Sequence, residues 1–231
     1  MDDRAASQPV AGQSTPSLGV IWNVPNVLTM ARLVLSVICF VFLAFDQYLA
    51  GLILFAIAAG TDWIDGMWAR RYGQITQLGR IMDPFADKII ICGTFTFLAA
   101  VPPVGDVRGL ASSASEIWAW MAVVVVAREI LVTALRSFFE EHGTDFSAKW
   151  SGKWKMVLQC AAAAMSLWRL WAYGFDATTQ QWATSPPDAV TWTLRLLVWA
   201  AVALTIYSGW VYVDRALRLL RGAEQGTGSK V

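Results

Sequence analysis

The sequence predicts an all-α fold, a polytopic membrane protein with six transmembrane helices. Three observations lead there. Charged residues make up 15% of the chain and apolar ones 56%, whereas about a quarter of a soluble domain is charged. Six apolar stretches each approach the ~20 residues that a helix needs to cross a bilayer. The alternation with frequent turns that a membrane β-barrel requires is absent. Lipid offers no hydrogen bonds to backbone groups, so each stretch must satisfy its own, and a helix does so.

The stretches fall at about 27–45, 48–70, 80–101, 117–139, 151–173 and 189–212 of the 231 residues. Pro102-Pro103 closes the third and Ser185-Pro186-Pro187 precedes the sixth, as helix breakers do. Residues 1–19 are polar, rich in Ser, Ala, Gln and Pro, and lack the basic-then-apolar pattern of a signal peptide. They read as a disordered N-terminus, residues 20–221 as one membrane domain, and 222–231 as a second frayed tail.

Lysine and arginine set the orientation. One set of connections carries Arg70, Arg71, Arg80, Arg136, Lys149, Lys153, Lys155, Arg215, Arg218 and Arg221. The other offers Arg108 and Arg169. The first set and both termini therefore belong at the cytoplasmic face, of a bacterial inner membrane. Many of the 13 tryptophans lie near helix ends, where interfacial anchoring accounts for them. Net charge is +1, with no basic tract to suggest nucleic acid. Cys39, Cys92 and Cys160 lie far apart in apolar stretches and read as buried thiols.

Against this background residues 62–87 stand out. They read Asp62-Trp-Ile-Asp65-Gly66-Met-Trp-Ala69-Arg70, eight residues, then Gly79-Arg-Ile-Met-Asp83-Pro-Phe-Ala-Asp87. Asp62 and Asp65 share a face if helical, and so do Asp83 and Asp87. Two helix ends meeting at a short loop would bring four carboxylates into one space. They would repel without a cation between them. Hard oxygen ligands favour Mg²⁺ (or Mn²⁺), and four of them could hold two ions. The competing reading, a solvated polar loop, sits poorly with the apolar flanks.

The stretch resembles the signature of the CDP-alcohol phosphotransferase family, D-x2-D-G-x2-A-R-x8-G-x3-D-x3-D, at every fixed position. The resemblance implies a cytidine diphosphate-linked donor, an acceptor hydroxyl that attacks the lipid-side phosphorus, and CMP as leaving group. It implies Asp62, Asp65 and Asp83 as metal ligands and Asp87 as ligand and general base; spacing alone does not choose among the four. The donor lipid would meet Asp62, Gly66, Arg70 and Gly79. Gly66 leaves room for a ligand beside an aspartate. Gly79 opens a helix whose N–H groups favour phosphate, or is a loop glycine. Arg70 would offer its planar fork to the diphosphate. A homodimer is common in the family.

Other segments bear on the acceptor. Residues 24–32, 127–136 (with Ala127-Arg128-Glu129 and Arg136) and 151–155 (Ser-Gly-Lys153-Trp-Lys155) look like the phosphatidylglycerophosphate synthase branch, which joins CDP-diacylglycerol to glycerol 3-phosphate. A phosphorylated acceptor needs cations, and Arg128, Arg136, Lys153 and Lys155 supply them. Lys153 and Lys155 also fit the positive-inside bias, and Arg128 a structural ion pair. Arg128 lies about 12 Å inside Arg136 at helical rise, a depth that demands a partner or a wet cavity. Glu129 is expected on a different side of the helix, leaving an aspartate of the cluster as its candidate partner. Asn26 and Thr29 either cap the first helix or touch ligand; Arg32, a turn deeper, is the better candidate to face the site. Lys88 either pairs with Asp87 or snorkels to headgroups. His142 reads as a loop residue, and no Ser or Cys nucleophile with a base partner is visible. Phosphatidylglycerol, inositol phosphate and serine remain alternative acceptors. A divalent-cation transporter is the competing class, but it would set acids deep within several helices instead of at one face.

Overall fold

A computed structural model of the chain describes residues 24–72, 77–104, 112–141 and 150–227, with the side chains of 62–72, 77–84, 87 and several helix ends outside the description. The described residues form six long helices: α1 Val24–Ala44, α2 Tyr48–Tyr72, α3 Gln77–Ala100, α4 Ala119–Glu141, α5 Trp150–Ala172 and α6 Asp188–Thr227. Residues 1–19 lie outside the description. α6 continues through Gly222 to Thr227, so the helix runs past the point where the composition suggests a frayed tail.

Two two-residue antiparallel ladders accompany the helices, β1 (Pro103–Val104) with β2 (Ser112–Ser113), and β3 (Phe175–Asp176) with β4 (Gln181–Trp182). They close the α3–α4 and α5–α6 connections. The apolar stretches do not foretell them, because two residues carry no periodicity.

α1 shows which solvent the bundle is built for. Its inward stripe is Thr29, Arg32, Ser36, Cys39 and Leu43, all buried, while Val34, Val37, Ile38, Val41 and Phe42 face outward and exposed. The inside of this helix is more polar than the outside, the reverse of a helix in water. Large apolar side chains likewise cover the outside of α6 at Leu196, Trp199, Ile206 and Trp210. Among the described residues, α1 and α6 are the helices long and apolar enough to cross a membrane, and shorter apolar runs occupy 48–61 and 88–100.

Packing is close and partly polar. α1 lies against α2 and α3, α4 against α3 and α6, and α5 against α2, α3 and α6. At Gly93 of α3 an added Cβ would overlap the Phe40 ring of α1, so the missing side chain sets that approach. Phe55, Phe95, Met121, Leu167 and Val198 fill the centre. Gln159 of α5 donates to Thr205 Oγ1 of α6 at 3.0 Å inside that core, the kind of interhelical bond that stands in where lipid removes the hydrophobic drive.

One end of the bundle can be fixed from its contacts. Ser115 Oγ donates to Leu98 O at the end of α3 (2.7 Å), and Ser166 of α5 donates to Ser115 O (2.9 Å). Glu116, just before α4 and at φ 57°, receives Arg169 from the end of α5 and Arg195 from the start of α6. The other end therefore gathers the start of α1, the end of α2, the start of α3, the end of α4, the start of α5 and the second half of α6.

Candidate active site

All the residues singled out for chemistry lie toward that second end. Asp62, Asp65, Gly66 and Arg70 are in the last turns of α2, and Gly79, Asp83 and Asp87 in the first turns of α3. Both segments are helical in their backbone, with Asp62 and Asp65 three residues apart and Asp83 and Asp87 four apart. α2 and α3 are in contact, and residues 73–76 that join them lie outside the description. Among the described residues no group of His, Cys, Asp and Glu forms a metal site, and the four aspartate side chains are not among those residues. Two carboxylates per helix at one end of a two-helix contact fit a divalent cation by their donor chemistry.

Just deeper lies a buried cluster of charge. Arg128 of α4 donates through Nη1 to Glu129 Oε1 at 3.2 Å and through Nε to Ser208 Oγ of α6 at 3.2 Å. Lys155 of α5, also buried, is ion-paired to Glu129 Oε1. Glu129 thus bridges Arg128 and Lys155, which corrects the expectation that it points elsewhere. Neighbouring Cα–Cβ bonds do diverge on a helix, but both side chains are long enough to fold back toward each other. Cys92 of α3 is within electrostatic range of Glu129, Lys155 and Lys88. It is five residues past Asp87 in α3, about 7.5 Å along the axis at helical rise.

Arg136, two turns on from Arg128, donates from Nη2 to the Tyr212 hydroxyl of α6 at 3.3 Å, and its buried Nε has no hydrogen-bond partner among the described residues. The Arg128 guanidinium stacks 5.7 Å from the centroid of the same Tyr212 ring, a cation–π contact that strengthens out of water. Gly209 lets α6 come close: a Cβ there would sit 3.2 Å from Arg128 Cγ. Sequence reading missed Ser208 and Tyr212. Thr205, Ser208 and Tyr212 recur at helical spacing in an apolar helix and are all buried, a signal of an inward polar stripe.

The remaining expectations fall out unevenly. Lys153 lies in the first turn of α5 with its side chain outside the description, and so does that of Asn26 in α1. Thr29 and Arg32 are buried on the inward face of α1. α1 is already helical at Val24, so neither Asn26 nor Thr29 is its cap. His142 lies outside the described residues. Arg169 belongs to α5, buried against Glu116, and is not a loop residue. Arg195 joins it there, so that end carries more arginine than a reading of the loops assigns.

Residues 22–208 match the family model for CDP-alcohol phosphatidyltransferases. The chain belongs to that family. Among curated relatives it is 31% identical over 216 residues to the CDP-diacylglycerol–glycerol-3-phosphate 3-phosphatidyltransferase of Bacillus subtilis strain 168, covering 87% of this chain and 98% of that one. It is 36% identical over 156 residues to the protein of the same name from Escherichia coli K12, covering 64% of this chain and 78% of the relative. As a CDP-alcohol phosphatidyltransferase the chain is an enzyme, and its outward apolar faces suit a membrane enzyme. The family model ends at Ser208, so Gly209 and Tyr212 lie beyond the part it matches.

Proposed function

We propose that the enzyme transfers the phosphatidyl group of CDP-diacylglycerol to the hydroxyl of sn-glycerol 3-phosphate, giving phosphatidylglycerophosphate and CMP. The observation that carries this acceptor is the set of three cations with one carboxylate: Arg128 and Lys155 pair with Glu129, and Arg136 is joined to them through Tyr212, whose ring faces Arg128. Three cations against one carboxylate leave two positive charges among the described side chains, and a phosphate monoester brings about −1.5 to −2 at neutral pH. Serine, with no net charge, gives such a cluster nothing to balance. The two named relatives support the same acceptor.

In this reading Asp62, Asp65, Asp83 and Asp87 hold divalent ions, Mg²⁺ or Mn²⁺ and two in number. Bound there, they supply charge neutralisation on the donor diphosphate. Gly66 and Gly79 let the donor approach, and Arg70 binds its diphosphate with a planar fork. Arg128, Arg136, Lys153 and Lys155 bind the acceptor phosphate and aim its hydroxyl at the lipid-side phosphorus. Arg32 borders the site from α1, with Asn26 and Thr29 beside it. Asp87 takes the hydroxyl proton as the new oxygen–phosphorus bond forms and the bond to CMP breaks.

The six helices each span the bilayer, with both termini and the site at the cytoplasmic face, and two copies form a dimer. The lysine and arginine excess at the aspartate end supports that orientation even with Arg195 counted at the other. The test is CMP release by purified protein in detergent with Mg²⁺ and CDP-diacylglycerol, offering glycerol 3-phosphate, phosphatidylglycerol, inositol phosphate and serine singly. Release with glycerol 3-phosphate alone, stopped by chelator, is the expected result. Release with another acceptor would overturn the reading of the cationic cluster and leave the donor class standing.

A further inference from the structure

The cationic cluster is held from one side by α6, and a single side chain there touches two of its members. Tyr212 is 3% exposed and packs in a small core with Val132, Phe139 and Ala216. Its hydroxyl receives Arg136 Nη2, and its ring carries the Arg128 guanidinium. One turn earlier, Ser208 Oγ receives Arg128 Nε and itself donates to Thr205 O at 3.0 Å, which fixes the hydroxyl.

α6 holds the Arg136 guanidinium, and it holds Arg128 jointly with Glu129 of that arginine's own helix. Arg128 spends Nε on Ser208 and Nη1 on Glu129. Arg136 spends Nη2 on Tyr212 and keeps a buried Nε–H with no partner among the described residues, as Arg169 does at the other end. A buried guanidinium donor without a partner costs free energy unless an acceptor oxygen arrives, and a phosphate offers such oxygens in the planar geometry that arginine matches. A side chain of two rotatable bonds, locked in a core, holds two flexible cations at little further entropy cost.

We infer that Tyr212 is a positioning residue for the acceptor phosphate, its hydroxyl and ring setting Arg136 and Arg128 in register, with Ser208 as its adjunct. This rests on the acceptor reading above. It adds that selectivity for a phosphorylated acceptor depends on α6, including a residue past the matched family stretch.

The test uses full-length protein in detergent with Mg²⁺ and saturating CDP-diacylglycerol, comparing wild type with Tyr212→Phe, Tyr212→Leu and Ser208→Ala. Tyr212→Phe keeps the ring and the core packing and removes the hydroxyl alone. It should raise KM for glycerol 3-phosphate about tenfold, the worth of one hydrogen bond to a charged group. Its kcat and its KM for CDP-diacylglycerol should stay within about twofold. Tyr212→Leu, which also removes the stack on Arg128, should raise the acceptor KM further, and Ser208→Ala less than Tyr212→Phe. Calorimetric binding of glycerol 3-phosphate to the metal-free protein should weaken in the same order. An unchanged acceptor KM in Tyr212→Phe overturns the inference, and so does an equal rise in both KM values, since packing loss would act on both. If Tyr212→Leu does not fold, Tyr212→Phe decides alone. Wild type that cannot use glycerol 3-phosphate overturns the acceptor reading and this inference together; wild type that uses it beside unaffected variants overturns this inference only.

Discussion

Each end of the bundle buries one glutamate between two cations, and the two arrangements differ in what is left over. At the end away from the aspartates, Glu116 receives Arg195 Nε at 3.0 Å, Arg195 Nη2 at 3.2 Å and Arg169 Nη1 at 3.4 Å, so both its oxygens are engaged. Arg169 goes on to Ala114 O and Thr191 Oγ1 and lies over the Trp182 ring. These bonds tie the α3–α4 connection, the end of α5 and the start of α6 into one knot. At the aspartate end, Glu129 faces Arg128 and Lys155, and Arg136 adds a third cation without a second carboxylate among the described residues. Arg169 and Arg136 each keep a buried Nε without a hydrogen-bond partner among the described residues, so the clusters differ in charge: two cations face the first glutamate's site and three gather at the second. A buried ion pair by itself therefore says little about role. What distinguishes the two is the surplus of cations over carboxylates among the described side chains.

The comparison predicts that substitutions at the aspartate end change kinetics and those at the far end change stability. The largest effect belongs to Asp87→Asn, which should lower kcat by about 100-fold or more, the range for losing a general base, with thermal unfolding in detergent little altered. Retention of kcat would remove Asp87 from the base role. Glu116→Gln should do the opposite. It leaves Arg169 buried without its counter-charge, a loss of roughly 3–5 kcal/mol in stability, read as a fall of several degrees in the unfolding midpoint. Its KM values for donor and acceptor should stay at wild type, and a selective rise in acceptor KM would erase the distinction between the two ends. Next comes Arg128→Ala, which should raise KM for glycerol 3-phosphate by about 10-fold to 100-fold, at ~1.4–2.8 kcal/mol for a charge-assisted bond. The donor KM should hardly move.

Much of this was legible in the sequence, and the misses have physical causes. Each helix was visible because it carries an apolar run of near-spanning length, and the structure sets helix bounds within a few residues of those runs except at the end of α6. The aspartate pairs were visible because acids in apolar segments are costly, and helical spacing alone predicts one face for each pair. The clusters were not. Counting charges near helix ends places Arg169 with the connection between the fifth and sixth helices, yet α5 runs to Ala172 and buries it against Glu116. Glu129 was aimed away from Arg128 by the divergence of adjacent Cβ atoms, an argument that ignores how far two long side chains reach. Ser208 and Tyr212 went unremarked since their partners are 80 and 76 residues away in sequence, and no local pattern reports such a pair.

The smallest effect tests the contrast between buried and exposed charge at one and the same end. Asp214 and Arg218 of α6 are paired at 2.8 Å with four-residue spacing, and their side chains are 45% and 77% exposed. That pair is shorter than the arginine pairs of either buried cluster, yet it sits where water and salt screen it and two flexible side chains must be held. Asp214→Ala should therefore change stability by no more than about 0.5 kcal/mol and leave both KM values alone. A larger loss, or one that shifts the acceptor KM, would mean that the outer turns of α6 take part in holding Tyr212 half a turn before them. Distance would then matter less than continuity along α6, and the cationic cluster would extend to the surface of the bundle.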